Sequence, residues 1–132
     1  MSTAAIVTGT DGSNSASEAV RQAAELAGSS GVPLHLVSAH GPDVDPATRV
    51  QAILDVGREA IAGLAVEIHL HAVPGTPADA LCAVAARIGA ELIVVGNKGV
   101  DESFALRRSI SEQVQRKAPC PVLVVDTRAH WR

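Results

Sequence analysis

Hydrophobic residues along the chain form four short apolar runs and one alternating segment, separated by longer stretches in which apolar positions recur every three or four residues. The short runs predict buried strands, because parallel strands covered on both faces are continuously apolar and rich in β-branched residues. The longer stretches have the spacing of amphipathic helices. The predicted strands are Ala4–Thr8, Leu34–Ala39, Val66–Val73, Glu91–Val95 and Val122–Val125.

Four helices are predicted between these strands from their start and stop signals. Ser15 with Glu18, and Ser109 with Glu112, have the S-x-x-E spacing of a capping box. A third start is Thr76, followed by proline at the first helical position. The predicted helices run from Ser15 to the glycines at 28–31, from Ala47 to Leu64 with a weak point at Gly57, from Pro77 onward, and from Ser109 to Lys117.

Strands and helices therefore alternate along all 132 residues, without a repeat or linker. This order predicts one α/β domain over residues 1–132, a parallel sheet covered by helices on both faces, with a polar tail from about residue 127. Val66–Val73 alternates apolar and polar residues, which predicts an edge strand. Its His69 and His71 share one side, as either a solvated face or part of a metal site.

The composition of the chain predicts what its core consists of and argues against several classes of protein. Hydrophobic residues make up 47% of the chain, but Phe104 and Trp131 are the only aromatics, so the core is predicted to consist of Ala, Val, Leu and Ile. A net charge of −3 and the lack of stacking aromatics argue against nucleic-acid binding. No apolar run approaches the roughly 18 residues that span a bilayer. With no signal-like N-terminus and two cysteines, Cys82 and Cys120, expected as reduced thiols, a cytoplasmic protein is predicted.

Candidate chemistry is expected where the strands end, because open parallel sheets bind ligands beyond the carboxyl ends of their strands. The loop after strand four contains Gly96 and Gly99, which serve either a tight turn or a ligand site. Asp11, after strand one, either stabilises its own turn or contacts a ligand, and His40, after strand two, either lines the pocket or is a plain loop residue. No nucleophile elbow, catalytic triad or Walker A motif is present, which argues against an enzyme.

Three segments together resemble the universal stress protein family: IVTGTDGSNSASEAVRQAAELA, GAELIVVGNKG and SISEQVQRKAPCPVLVV. The resemblance covers essentially the whole chain. It implies a Rossmann-like, adenine nucleotide alpha hydrolase-like fold with strand order 3-2-1-4-5. It also implies a non-enzymatic stress-response protein that forms a homodimer through its last strand, here Val122, Leu123, Val124 and Val125. One branch of the family binds ATP, some members bind cyclic nucleotides, and another branch binds none.

The resemblance also assigns positions to a nucleotide site. Asp11 matches the acidic residue that meets adenine, and Ala39 matches the apolar residue that borders it. Gly96 and Gly99 match the first two glycines of the phosphate motif, and Ser109 matches its serine. The implied ligand is ATP, AMP or cyclic AMP, with Mg²⁺ only beside a polyphosphate. The other positions of the implied site are Gly9, Thr10, Val95, Lys98, Arg108 and Ile110.

The phosphate loop departs from the family's pattern twice. Its third glycine is replaced by Arg108, and only eight residues, Val100–Arg107, separate that position from Gly99, one fewer than in the motif. An arginine cannot allow the close backbone approach that glycine allows, although its guanidinium binds phosphate. Asp101 and Glu102 add negative charge to the same loop. The sequence thus leaves two main hypotheses: an adenine-nucleotide-binding stress protein, or a dimeric interaction protein whose nucleotide site has degenerated. A third, a hydrolase or transferase acting on a nucleotide, lacks a recognisable nucleophile or base.

Overall fold

The computed structural model of the chain describes residues 4–11, 14–43, 45–97 and 104–126. Strands and helices alternate through these residues, and a π-helical turn at Pro46–Val50 precedes the second helix. The strands are β1 (Ile6–Gly9), β2 (Leu34–His40), β3 (Ile68–Pro74), β4 (Leu92–Asn97) and β5 (Val122–Asp126). The helices are α1 (Asn14–Ser30), α2 (Gln51–Ala60), α3 (Pro77–Ile88) and α4 (Phe104–Lys117).

All five strands are parallel and form one sheet in the order β3-β2-β1-β4-β5. The expected fold class and strand order are therefore confirmed. The alternating segment forms the edge strand β3, as its pattern predicted, and β5 forms the opposite edge. In the centre, Thr8 of β1 pairs with Val94 of β4 on one side and with Leu36 of β2 on the other.

Two apolar clusters cover the two faces of the sheet. The first joins Val20 of α1 and Leu54 of α2 to sheet residues such as Leu36. The second joins Val84 of α3 and Val114 of α4 to the other side of the strands. The buried members of both clusters are all Ala, Val, Leu or Ile, in agreement with the composition. The helices therefore form two layers with the sheet between them.

Helix α3 begins and ends where its sequence signals place it. Oγ1 of Thr76 accepts a hydrogen bond from the backbone N–H of Asp79 at 3.2 Å, so Thr76 is the N-cap. Pro77 occupies the first helical position. Gly89 closes the helix with φ of 69°, a left-handed conformation that glycine adopts at low cost.

The other three helices differ from the predictions at one or both ends. Helix α1 begins at Asn14, so Ser15 lies inside its first turn instead of capping it. Helix α4 begins at Phe104 instead of Ser109, because the residues between them include good helix formers and no glycine or proline. Helix α2 is shorter than predicted, since the turn before it is π-helical and α2 ends at Ala60.

Candidate functional site

The carboxyl ends of β1, β2 and β4 meet at one edge of the sheet, because the three strands are adjacent and parallel. Helix α1, which follows β1, packs with α2 on one face, whereas α4, which follows β4, packs with α3 on the other. The chain therefore leaves these two neighbouring strands toward opposite faces. This is the topological switch point at which open α/β sheets form a ligand crevice.

Thr10 lies beside this switch point, directly after the end of β1. It is only 7% exposed, and its backbone N–H donates to the carbonyl oxygen of Val37 at 2.9 Å. At Gly9, an added β-carbon would lie 3.3 Å from Leu81 Cδ2 and 3.3 Å from the Val37 oxygen, so glycine permits close packing at the end of β1. Asp11 follows directly and is exposed, which places its carboxyl group at the rim.

Gly57 of α2 packs against the end of β1. The sequence alone indicated only that a glycine weakens the helix at this position. A β-carbon on Gly57 would lie 3.1 Å from Thr10 Cγ2 and 3.1 Å from Leu36 Cδ2. The glycine therefore lets α2 approach the end of β1 closely. Its spacing from Leu54 and Ile61 puts it on the inward face of the helix, which is the sequence signal that identifies such a position.

Ala39 and His40 end β2 at the same edge of the sheet. Ala39 is half-buried and packs against the apolar cluster under α3. The carbonyl of His40 accepts a hydrogen bond from the backbone N–H of Gly75 at 2.9 Å, which joins the end of β2 to the end of β3. Nδ1 of His40 lies 3.3 Å from the carbonyl oxygen of Gly41. The predicted adenine-bordering position is therefore on a strand end that is joined to β3 and packed against the cluster under α3.

The β4 side of the crevice is described as far as Asn97. Val95 is buried and Gly96 is half-buried, and they pair with Val124 and Val125 of β5. Lys98 and Gly99 lie outside the described residues, as do Asp101 and Glu102. Their predicted places in the phosphate loop remain predictions.

Helix α4 changes the interpretation of the far end of that loop. The backbone N–H groups that a helix leaves without a helical partner belong to its first turn, which here starts at Phe104. Arg108, Ser109 and Ile110 lie in the second turn, where N–H groups bond along the helix. The prediction that Ser109 begins the helix was therefore wrong. The amino end of α4, where helices attract anions, is therefore more than one turn earlier in the chain than the sequence indicated.

Three histidines form a cluster elsewhere, at the β2–β3 edge. His35 of β2 stacks on His69 with ring centroids 4.6 Å apart and on His71 with centroids 5.0 Å apart. His69 is exposed and His71 is half-buried. The interpretation of the pair as a solvated face therefore fits His69 but not His71. In the described part of the chain, no three His, Cys, Asp or Glu side chains form a metal-binding group. The sequence pattern did not reveal that His35 joins the pair, because strand register is not visible in it.

Both cysteines are free thiols and half-buried. Burial raises the pKa of the Cys82 thiol and of the Cys120 thiol, which keeps both largely protonated near neutral pH. None of the helices in the described ranges is both long and apolar enough to cross a membrane.

Comparison with known proteins decides the family. The model of the universal stress protein family matches residues 3–126. The chain belongs to the universal stress protein family. Among curated proteins, it is 31% identical over 140 aligned positions to the universal stress protein Rv1636 of Mycobacterium tuberculosis, covering 92% of this chain and 95% of that protein.

Solved structures of the family share the fold of this universal stress protein. A universal stress protein in complex with cAMP is 32% identical, with a TM-score of 0.81 over 94% of this chain and 97% of that one. The universal stress protein from Archaeoglobus fulgidus in complex with dAMP is 26% identical, with a TM-score of 0.78 over 93% of this chain and 98% of that one. The expected family membership is thus confirmed.

Proposed function

We propose that this universal stress protein is a non-enzymatic, cytoplasmic regulatory protein that binds an adenine mononucleotide in the crevice between β1 and β4. The observation that carries the proposal is the convergence of three strand ends, which brings Asp11, Ala39 and Gly96 to one edge of the sheet. The similar structures with cAMP and dAMP support the choice of an adenine nucleotide.

The base would lie between the ends of β1 and β2. Asp11 is exposed at the rim, where its carboxylate would accept a hydrogen bond from the adenine amino group. Ala39 offers a small apolar surface for the ring face. Thr10 is held by its hydrogen bond to Val37, so this wall of the crevice is already rigid before a ligand arrives.

A mononucleotide fits this chain better than ATP. The first turn of α4 begins at Phe104 and offers one set of free backbone N–H groups, which suits one phosphate group. Arg108 replaces the glycine that the ATP-binding motif has next to its serine. Asp101 and Glu102 would repel the additional charges of a polyphosphate unless a cation such as Mg²⁺ lay between them.

Calorimetry with AMP, cyclic AMP, ADP and ATP, each with and without Mg²⁺, tests the proposal. We expect binding of at least one mononucleotide, independent of Mg²⁺, and weaker binding of ATP. Asp11→Asn should reduce the affinity about tenfold, as expected for a lost hydrogen bond to a charged group. The matched control is Asp55→Asn on the exposed side of α2, which should leave the affinity unchanged.

A second function is favoured by the altered phosphate loop. Arg108 and the shortened spacing after Gly99 are the changes expected in an interaction protein that has lost its ligand. In that case the function resides in a homodimer formed through β5. The absence of heat or thermal shift with all four nucleotides at millimolar concentration would reject the first function and leave this one.

A further inference from the structure

The three stacked imidazoles at the β2–β3 edge form a connected cluster. His35 and His69 are directly paired in the parallel register, and their rings are inclined by only 13°. His71, two residues further along β3, brings its Nε2 to 2.8 Å from Nδ1 of His35. The cluster therefore combines two ring stacks with one hydrogen bond between imidazoles.

The donor and acceptor roles in two contacts indicate which nitrogen carries the proton in neutral His71. Nη2 of Arg87 lies 3.5 Å from Nδ1 of His71, and because a guanidinium only donates, that nitrogen is the acceptor. The proton of neutral His71 is then on Nε2, which donates to Nδ1 of His35. When both rings are neutral, each hydrogen bond in the series Arg87–His71–His35 has one donor and one acceptor. An additional proton on Nδ1 of either ring would remove an acceptor.

The surroundings of the cluster oppose a positive charge on it. The groups that act electrostatically on His35 are His69, His71, Arg87 and Glu67, of which only Glu67 favours protonation. Glu67 is also the carboxylate that contacts Nε2 of His69 at 2.6 Å. Burial, followed by the neighbouring histidines, lowers the pKa of His35 to about 4, and burial and Arg87 lower the pKa of His71.

A cavity lies beside the rings. It has a volume of about 630 Å³ and opens against His35 and His69 at the amino ends of β1 and β2. Its other lining residues carry no ionisable side chain and are Ala4, Ala5, Gly31, Val32, Pro33 and Ile88. The cavity wall therefore offers no carboxylate that would stabilise a positive charge on the cluster.

We propose that His35, His69 and His71 act as an acid-sensitive latch that holds the edge strand β3 against β2. Strand β3 has a single neighbour in the sheet, so it can separate without breaking the pairing of the inner strands. When both His35 and His71 become cationic, all their ring nitrogens carry protons and the bond between them is lost. The like charges then repel across the stack and beside Arg87, and β3 opens while the rest of the sheet remains folded.

Segment-resolved hydrogen exchange at pH 7 and pH 4.5, corrected for intrinsic rates and carried out with EDTA, tests the latch. We expect the protection of residues 68–74 to fall by roughly tenfold to a hundredfold at the lower pH, because opening of β3 is coupled to proton uptake by His35 and His71. The protection of β1 and β4 should change much less. Side-chain NMR of the same wild-type protein should show that His35 and His71 titrate below free histidine.

The non-titrating variant is His35→Gln with His71→Gln, since amides still donate and accept but do not gain a proton in this range. It should lose the pH dependence of β3 exchange, whereas His40→Gln, outside the cluster, should keep it. The latch is overturned if β3 protection is the same at both pH values, or if β1, β3 and β4 lose protection together. An unchanged pH response in the double variant also overturns it. If that variant does not fold, hydrogen exchange and histidine titration of the wild-type protein still test the latch.

Discussion

Gly57 and Thr10 are so close that a β-carbon on Gly57 would lie 3.1 Å from Cγ2 of Thr10. A helix residue and a strand end are thus packed together without room for a side chain between them. The same Thr10 forms one wall of the proposed nucleotide crevice. The closeness of α2 therefore affects both the stability of the fold and the shape of the site.

We expect Gly57→Leu to lower the free energy of unfolding by about 1–3 kcal/mol, because the larger side chain overpacks a filled interior. Urea denaturation followed by far-ultraviolet circular dichroism measures this change. Ala52→Leu, at an exposed position of the same helix, is the control and should shift the free energy by less than about 0.5 kcal/mol. Equal stability of the wild type and Gly57→Leu would show that Thr10 and Leu36 move aside without cost.

Leu123 tests the proposed homodimer. It is 40% exposed on the edge strand β5, where an unpaired strand edge and an apolar side chain favour association. We expect Leu123→Lys to shift the mass measured by light scattering from dimer to monomer at tens of micromolar. Leu26→Lys on α1, where the leucine is 37% exposed, should leave the dimer intact. A monomeric wild type, or equal effects of both variants, would contradict pairing through β5.

The phosphate loop provides a gain-of-function prediction. Arg108→Gly with one residue inserted after Gly99 restores the third glycine and the spacing of the ATP-binding branch. Glycine in a helix costs about 1 kcal/mol relative to alanine, so α4 should begin close to Ser109 in this variant and offer its free N–H groups there. Calorimetry should then detect tighter ATP binding than in the wild type. The insertion without the glycine is the control and should not gain ATP affinity; equal ATP affinity of the variant and the wild type would refute the proposed role of Arg108.

Stability should also depend on pH through His35 and His71. Both have a lower pKa in the folded protein than the ordinary value of 6.5, so the unfolded chain binds more protons in the acidic range. The contribution of His35 is present above pH 6.5 and is lost as the pH falls toward its folded pKa of about 4. Urea midpoints at pH 7.5, 5.5 and 4.5 should therefore fall more steeply for the wild type than for the His35→Gln, His71→Gln variant. Parallel slopes for the two proteins would exclude this linkage.

Several features of the fold were predictable because they follow from short-range patterns. The alternation in Val66–Val73 predicted an edge strand, and Thr76 with Pro77 predicted the start of α3. Strand order came from the family resemblance. The start of α4 was predicted wrongly, since Ser109 and Glu112 have the spacing of a capping box although helix-forming residues precede them. The capping-box spacing and the helix-forming residues before it indicate different starting points, and the structure has the earlier one.

The parts of the site that the sequence did not reveal depend on contacts between distant segments. His35 joins His71 only because β2 and β3 pair in one particular register. Gly57 becomes important only because α2 crosses the end of β1. Neither relationship leaves a periodic pattern in the chain, so both required the three-dimensional arrangement.

The aliphatic side chains buried in the described part of the chain determine how this protein is best observed. The hydrophobic side chains that the structure describes as buried are Ala, Val, Leu and Ile, and each carries at least one methyl group. None of these side chains carries an aromatic ring, so they give no near-ultraviolet signal. Methyl resonances, by contrast, sample both faces of the sheet at every depth. Selective methyl labelling would thus follow ligand binding, dimer formation and the opening of β3 in a single experiment.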